Sequence, residues 1–183
     1  MLLSGLAGTN SSSGEAVHTV LLMHDRFDPA FLMIRPGDIV HWVWTVEFHN
    51  VESGIIDVDV FEIKPDGRFR SGDPDFDLIF DLAFDRSFLD ASPSLGSAYP
   101  YYCVVHGFEG MIGVIEVVVP GDADLDTDVD LDDHASLTVC LMGPGEIEFP
   151  PDCGWGVRLR LDADADSDVD LHDFAEFQNG FAG

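Results

Sequence analysis

Apolar and polar residues alternate with a period of two along residues 17–119, a pattern typical of strands with one buried face. The strand-like stretches are 17–23, 38–46, 55–63, 75–85, 98–105 and 111–119. The buried faces of the second and fourth stretches are predicted to be Val40, Trp42 and Trp44, and Phe76, Leu78, Phe80, Leu82 and Phe84. Gly, Pro, Asp and Ser clusters separate the stretches, as in the turn at 35–38, so we predict a Greek-key β-sandwich over residues 15–120.

The composition changes after Gly121, where residues 121–183 hold 17 acidic and 2 basic residues. The segments DADLDTDVDLDD (122–133) and DADADSDVDLHD (162–173) form an internal repeat, and a helix-compatible stretch follows each copy, at 134–143 and 174–181. A small helical module over 121–183 is therefore predicted, close against the sandwich because the connection is short. Residues 1–14, MLLSGLAGTNSSSG, are either the end of an export signal or a frayed terminus.

The net charge of −27 excludes two classes of partner, because it repels both the phosphate backbone of nucleic acids and anionic lipid surfaces. No run of 18 or more apolar residues is present, so we expect no membrane span.

The stretch YYCVVHGFEGM (101–111) contains three soft metal ligands, Cys103, His106 and Met111, with C-x2-H-x4-M spacing. A soft copper site needs a thiolate, imidazoles and often a weak thioether. His49 can supply the second imidazole if two strands end at the same pole of the sandwich, and Asn50 beside it can hydrogen-bond across the site. A lone buried cysteine or methionine is otherwise ordinary core material.

Residues 17–119 resemble a cupredoxin of the plastocyanin and pseudoazurin type. The segment from RPGDIVHWVW to HNV carries the first histidine ligand, and YPYYCVVHGFEGMIGVIEV carries the other three ligands. The resemblance implies one type 1 (blue) copper ion, with His49, Cys103 and His106 in the trigonal plane and Met111 as axial ligand. It also implies that electrons enter and leave the copper site through the solvent-facing edge of His106.

The residues beside Cys103 are Tyr102 and Val104. Multicopper oxidases have histidines there, which pass electrons to a trinuclear copper cluster, so we expect no such cluster here. Four protein ligands leave no open coordination position for a substrate. We therefore expect outer-sphere electron transfer and no enzymatic activity.

The acidic repeats have the D-x-D-x-D-x-x-x-D-x-x-D pattern of a calcium loop, which offers hard oxygen ligands from one compact turn. The alternative is a solvated acidic surface. The predicted carboxylate ligands are Asp122, Asp124, Asp126, Asp130 and Asp133 in the first loop and Asp162, Asp164, Asp166, Asp170 and Asp173 in the second, joined by the backbone carbonyls of Asp128 and Asp168.

The pair of loops resembles a type I dockerin, a module of two calcium loops that are each followed by a helix. Thr127 and Ser167 occupy the sixth position, where glycine is usual, which should cost on the order of 1 kcal/mol each if a left-handed conformation is needed. Dockerins use loop positions 10 and 11 for cohesin recognition, and Leu131-Asp132 and Leu171-His172 do not favour cohesin binding.

Cys140 and Cys153 lie between the repeats, and a disulfide there would close a 14-residue segment and stabilise a module with a small core by roughly 3 kcal/mol. The bridge implies an oxidising compartment and leaves Cys103 for copper.

The sequence thus predicts an extracytoplasmic blue-copper electron carrier with two calcium ions in its C-terminal module. Its redox partner is an unidentified protein, and the module favours self-association or a cell-surface partner. One alternative is a structural or adhesive protein in which copper is incidental or stabilising. Another is a copper-delivery protein that exchanges Cu(I) with a partner.

Overall fold

The structure is a computed structural model that describes residues 15–46, 48–126, 128–164 and 166–181. The predicted tail or signal remnant at 1–14 lies outside the described residues. The strands are β1 (Val17–Leu22), β2 (Phe27–Asp28), β3 (Phe31–Ile34), β4 (Ile39–Trp44), β5 (Glu52–Asp57), β6 (Glu62–Arg70), β7 (Ile79–Ala83), β8 (Ala98–Tyr102) and β9 (Ile112–Val117). The helices are α1 (Arg86–Ala91), α2 (Leu131–Cys140), α3 (Trp155–Leu161) and α4 (Leu171–Gly180).

Two sheets form a sandwich, one in the order β2-β1-β4-β7 and the other in the order β3-β9-β8-β5-β6. The β1–β4 and β3–β9 pairs are parallel, and the remaining pairs are antiparallel. Aromatic side chains fill the space between the sheets, where the buried Trp42 ring lies 5.6 Å from Tyr101 and 5.8 Å from Phe69. The predicted mainly β architecture, with helices towards the C-terminus, is confirmed.

The alternating pattern misplaced two strands. Residues 55–63, predicted as one strand, are the end of β5, a turn and the start of β6. The turn contains no glycine or proline, so the period of two continues through it. The predicted strand at 75–85 is only β7 in the structure, and Phe76 is 67% exposed instead of facing the core.

Asp38 ties the start of β1 to the turn before β4. Its carboxylate accepts hydrogen bonds from the backbone N–H groups of Ala16 and Arg35, and the His18 ring lies 2.9 Å away. Burial alone would raise the pKa of Asp38, but these hydrogen bonds outweigh it and hold the pKa below its usual value of 3.8.

The C-terminal segment contains three helices. Helices α2 and α4 begin with capping boxes, in which the side chains of Asp130 and Asp170 cap the helix. The carboxylates of Asp133 and Asp173, at the third helical position, accept the backbone N–H groups of Asp130 and Asp170. Both helices begin three residues before the predicted stretches, and α3 was not predicted. The predicted disulfide between Cys140 and Cys153 is present. Among the described residues, no helix combines the length and the apolar character needed to cross a membrane.

The helical segment packs against the end of the sandwich where β8 begins and β9 ends. The Gly121 N–H donates to the Arg160 carbonyl at 2.8 Å, and the buried Arg160 guanidinium forms an ion pair with Glu116 of β9 at 2.7 Å. The Ser97 hydroxyl donates to the buried Asp122 carboxylate at 3.1 Å. The expected close contact between the two segments is therefore present, at the opposite end of β8 and β9 from Cys103.

Candidate metal centre

His49 follows β4 and is held through its backbone. Its N–H and carbonyl pair with Asp75 at 3.0 and 2.9 Å, and the indole N–H of Trp44 donates to the same carbonyl at 2.9 Å. Trp44 is buried as the last residue of β4, so the alternation that places it in the core also fixes the position of His49.

The second segment is the loop between β8 and β9, residues 103–111. The Cys103 N–H donates to the Met111 carbonyl, and the Met111 N–H donates to the His106 carbonyl, both at 3.1 Å. Gly110 has a φ of 102°, a left-handed conformation that favours glycine, and so lets the loop turn back into β9. These bonds close the loop on itself and bring Cys103, His106 and Met111 into one short turn.

The structure brings three of the four predicted copper ligands together. The Cys103 Sγ atom lies 3.7 Å from His49 Nδ1 and 3.8 Å from His106 Nδ1, and the two nitrogens are 3.1 Å apart. The point equidistant from these atoms is about 2.1 Å from each, within the roughly 2.0–2.3 Å of metal bonds to imidazole and thiolate ligands. The three donors therefore fit one metal ion without rearrangement.

The backbone of Met111 is hydrogen-bonded to both Cys103 and His106. Met111 is fully buried, as are His49 and Cys103. A His2Cys site with a weak axial methionine is the donor set of blue copper centres.

Asn50 links the two ligand segments. Its side-chain carbonyl accepts the Val104 N–H at 2.8 Å, and its amide donates to the Gly72 carbonyl at 3.3 Å. Asn50 is fully buried, and the predicted hydrogen bond across the site is present.

His106 is the partly exposed member of the triad. Phe108 is 43% exposed, and its ring stacks 5.9 Å from that of Phe61, at the turn between β5 and β6. An apolar surface thus lies beside the one ligand that approaches solvent. No sequence pattern pointed to Phe61, because its contact with the loop depends on the unpredicted hairpin.

The acidic repeats fold in the same way. The carboxylate of Asp133 accepts the N–H groups of Ala123, Asp124 and Asp130, and that of Asp173 accepts those of Ala163, Asp164 and Asp170. Carboxylate oxygens gather within 4.8 Å of one another in four groups: Asp122, Asp124 and Asp133; Asp128, Asp130 and Asp133; Asp162, Asp164 and Asp173; and Asp168, Asp170 and Asp173. Among the described residues, Asp126 and Asp166 belong to none of these groups.

Asp128 and Asp168 enter these groups through their side chains, whereas the sequence predicted contributions from their backbone carbonyls. Ser167 has a φ of 81°, so the sixth position of the second loop has the left-handed conformation to which the expected cost applies, and Thr127 lies outside the described residues.

Burial and neighbouring charges raise the pKa values of four aspartates in the acidic loops. Burial, together with the neighbouring charges of Asp126, Asp133 and Asp122, raises the pKa of Asp124 to about 6. Burial is also the main cause of the raised pKa values of Asp128, Asp162 and Asp173. A bound cation would offset this repulsion.

Comparisons with known proteins give structural neighbours only. No protein-family profile matches the chain, and no curated protein sequence is significantly similar to it. Pseudoazurin from Methylobacterium extorquens AM1 is 22% identical with a TM-score of 0.40, over 55% of this chain and 74% of that one. Pseudoazurin from Hyphomicrobium denitrificans gives 22% and 0.40, over 60% and 82%. A methionine-to-glutamine mutant of amicyanin, in a structure titled Cu(I), gives 19% and 0.37, over 56% and 82%.

Proposed function

We propose that this chain is an extracytoplasmic electron-transfer protein, not an enzyme, which carries one electron on a single copper ion. His49, Cys103 and His106 would bind the ion, and the thioether of Met111 would be a further, weaker ligand. The observation that carries the proposal is the triangle of Sγ and two Nδ1 atoms, whose 3.1–3.8 Å sides fit one metal ion.

The protein's own residues hold the donors rigid. The backbone pairing of His49 with Asp75 and the closed 103–111 loop fix both ligand segments, and Asn50 joins them. Copper supplies one-electron redox chemistry when it is bound. A donor set that is fixed in advance limits rearrangement between the oxidised and reduced states. His106, partly exposed beside Phe108, provides the route for the electron to a protein partner.

The helical segment would bind two calcium ions and serve in docking or assembly, through self-association or a cell-surface partner. Two oxygens of the second loop, Asp162 Oδ1 and Asp168 Oδ1, are buried and have no hydrogen-bond donor among the described residues. Buried carboxylate oxygens without a donor are unfavourable, and a hard cation with oxygen ligands relieves this.

The thiol chemistry of the chain supports the proposed extracytoplasmic location. Cys140 and Cys153 form a disulfide, and disulfides persist in oxidising compartments. Cys103 is buried and free, so its thiolate is available to a metal.

The test is an anaerobic copper titration of the full chain followed by visible spectroscopy. One equivalent of Cu(II) should give an intense blue colour from thiolate-to-copper charge transfer, with reversible one-electron cycling. Cys103→Ser should abolish the colour, and the matched control Cys140→Ser/Cys153→Ser should keep it. A colourless, redox-silent protein that assembles on addition of calcium would instead support the structural alternative. Rapid Cu(I) exchange with a partner, without reversible cycling, would support copper delivery.

A further inference from the structure

Asp168 is the seventh residue of the second acidic loop, and its side chain is only 3% exposed. Its Oδ2 atom accepts the backbone N–H of Gly145, and its Oδ1 atom is buried without a donor among the described residues. A carboxylate oxygen of Asp168 lies within 4.8 Å of oxygens from Asp170 and Asp173. Three acidic groups thus converge where one of them is almost completely shielded from water.

A carboxylate in this setting needs a compensating positive charge. Burial of an ionised carboxylate is unfavourable unless it is paired or bound to a metal. No ion pair of Asp168 occurs within the described ranges. Arg158, which lies beside this loop, donates to the Ser167 carbonyl at 3.0 Å, and its guanidinium lies 3.9 Å from the centre of the Phe149 ring.

The chain between the repeats covers the second loop. Met142 N–H donates to the Val169 carbonyl at 2.7 Å, Gly145 N–H donates to Asp168, and the disulfide closes this segment at Cys140 and Cys153. Asp128, the equivalent residue of the first loop, is only partly buried. The two repeats therefore have nearly the same sequence but different surroundings at position seven.

We propose that the side chain of Asp168, rather than its backbone carbonyl, is a ligand for a hard divalent cation of the calcium type, together with Asp170 and Asp173. This inference rests on the calcium-binding part of the proposed function. Ligand charge and rigidity set the affinity of calcium loops, so a side-chain ligand at Asp168 would contribute to the affinity of the second loop.

The internal repeat provides a matched control for the test. Calcium chloride is titrated into the full, disulfide-bonded chain by isothermal titration calorimetry, and Asp162→Asn and Asp122→Asn assign each binding event to a loop. Asp168→Asn should weaken the event assigned to the second loop by at least about 10-fold, whereas Asp128→Asn should change either event by less than about 3-fold. Near-UV circular dichroism in a calcium chelator checks that each variant is folded.

Equal losses in the Asp168→Asn and Asp128→Asn variants, or no loss in Asp168→Asn, would overturn the inference and leave the calcium module intact. A wild-type chain that binds no calcium would overturn both.

A measurement on the wild-type chain decides the question if Asp168→Asn fails to fold. The amide NMR signal of Gly145, which is bonded to Asp168, should shift with the binding event that Asp162→Asn assigns to the second loop. A Gly145 signal that moves only with the first-loop event would refute the proposal.

Discussion

Asn50→Ala tests whether one buried amide holds the two ligand segments of the metal centre together. The substitution removes the bonds to Val104 N–H at 2.8 Å and to the Gly72 carbonyl at 3.3 Å. Each bond contributes about 1 kcal/mol net, and a Val104 N–H left without an acceptor adds about 1–3 kcal/mol. We expect the free energy of unfolding to fall by about 3–5 kcal/mol, a large part of the roughly 5–15 kcal/mol of an ordinary domain.

The assay is urea unfolding of the copper-free chain, followed by the fluorescence of the buried Trp42 and Trp44. The midpoint should fall while the slope of the free energy against urea concentration stays constant, because the surface exposed on unfolding is unchanged. Asn179→Ala, at an exposed position of α4, is the control and should change the free energy by less than about 0.5 kcal/mol. A loss below about 0.5 kcal/mol for Asn50→Ala would refute the linking role.

Three further changes have defined outcomes. Asp38→Asn should lower the free energy of unfolding by about 2 kcal/mol at pH 7. Because the folded-state pKa of Asp38 is below 3.8, this contribution is present above about pH 4 and is lost as the pH falls through the folded-state pKa. Cys140→Ser/Cys153→Ser should destabilise the helical segment by about 3 kcal/mol, measured by thermal unfolding in a calcium chelator. Gly110→Ala should lower the free energy of unfolding by about 1–2 kcal/mol in urea, because φ is 102° there and alanine rarely adopts that conformation. The added methyl group meets no atom within 4 Å, so this cost comes from the backbone alone.

Each of these predictions has its own contradiction. A wild-type advantage over Asp38→Asn that persisted unchanged at pH 2 would contradict the depressed pKa. Unaltered thermal unfolding of the double serine variant would show that the disulfide does not stabilise the segment by restricting the conformations of its unfolded state. Gly156→Ala, in α3 with open space around the added methyl group, is the control for Gly110 and should stabilise by about 0.5–1 kcal/mol. Equal effects at the two glycines would rule out a backbone origin.

The sequence predicted the features that depend on short spacings. Cys103, His106 and Met111 belong to one loop, so the residues that meet there could be identified without knowing the fold. The prediction of His49 as a ligand required the additional expectation that two strands end at the same pole of the sandwich. The alternation also predicted β4, because Trp42 and Trp44 are buried where the pattern places them.

The features that were missed depend on contacts between distant segments. The β5–β6 turn contains no glycine or proline, so its alternating residues continue the pattern of a single strand. Ser97 shows no local sign of a bond to Asp122, 25 positions later. The burial of Asp168 depends on Gly145, and the near identity of the repeats gave no reason to expect different surroundings.

The helical segment and the 103–111 loop lie at opposite ends of β8 and β9. The six residues of β9 span about 20 Å, at about 3.3 Å per residue. If the proposed function is correct, a partner that binds the helical segment, here called the anchor, would leave the edge of His106 accessible. One molecule could then bind the anchor and a redox partner at the same time. If the anchor also binds the redox partner, their encounter becomes intramolecular, with an effective concentration that can reach the millimolar range. The rate of electron exchange would then depend on the reach of the anchor rather than on the bulk concentration of either protein.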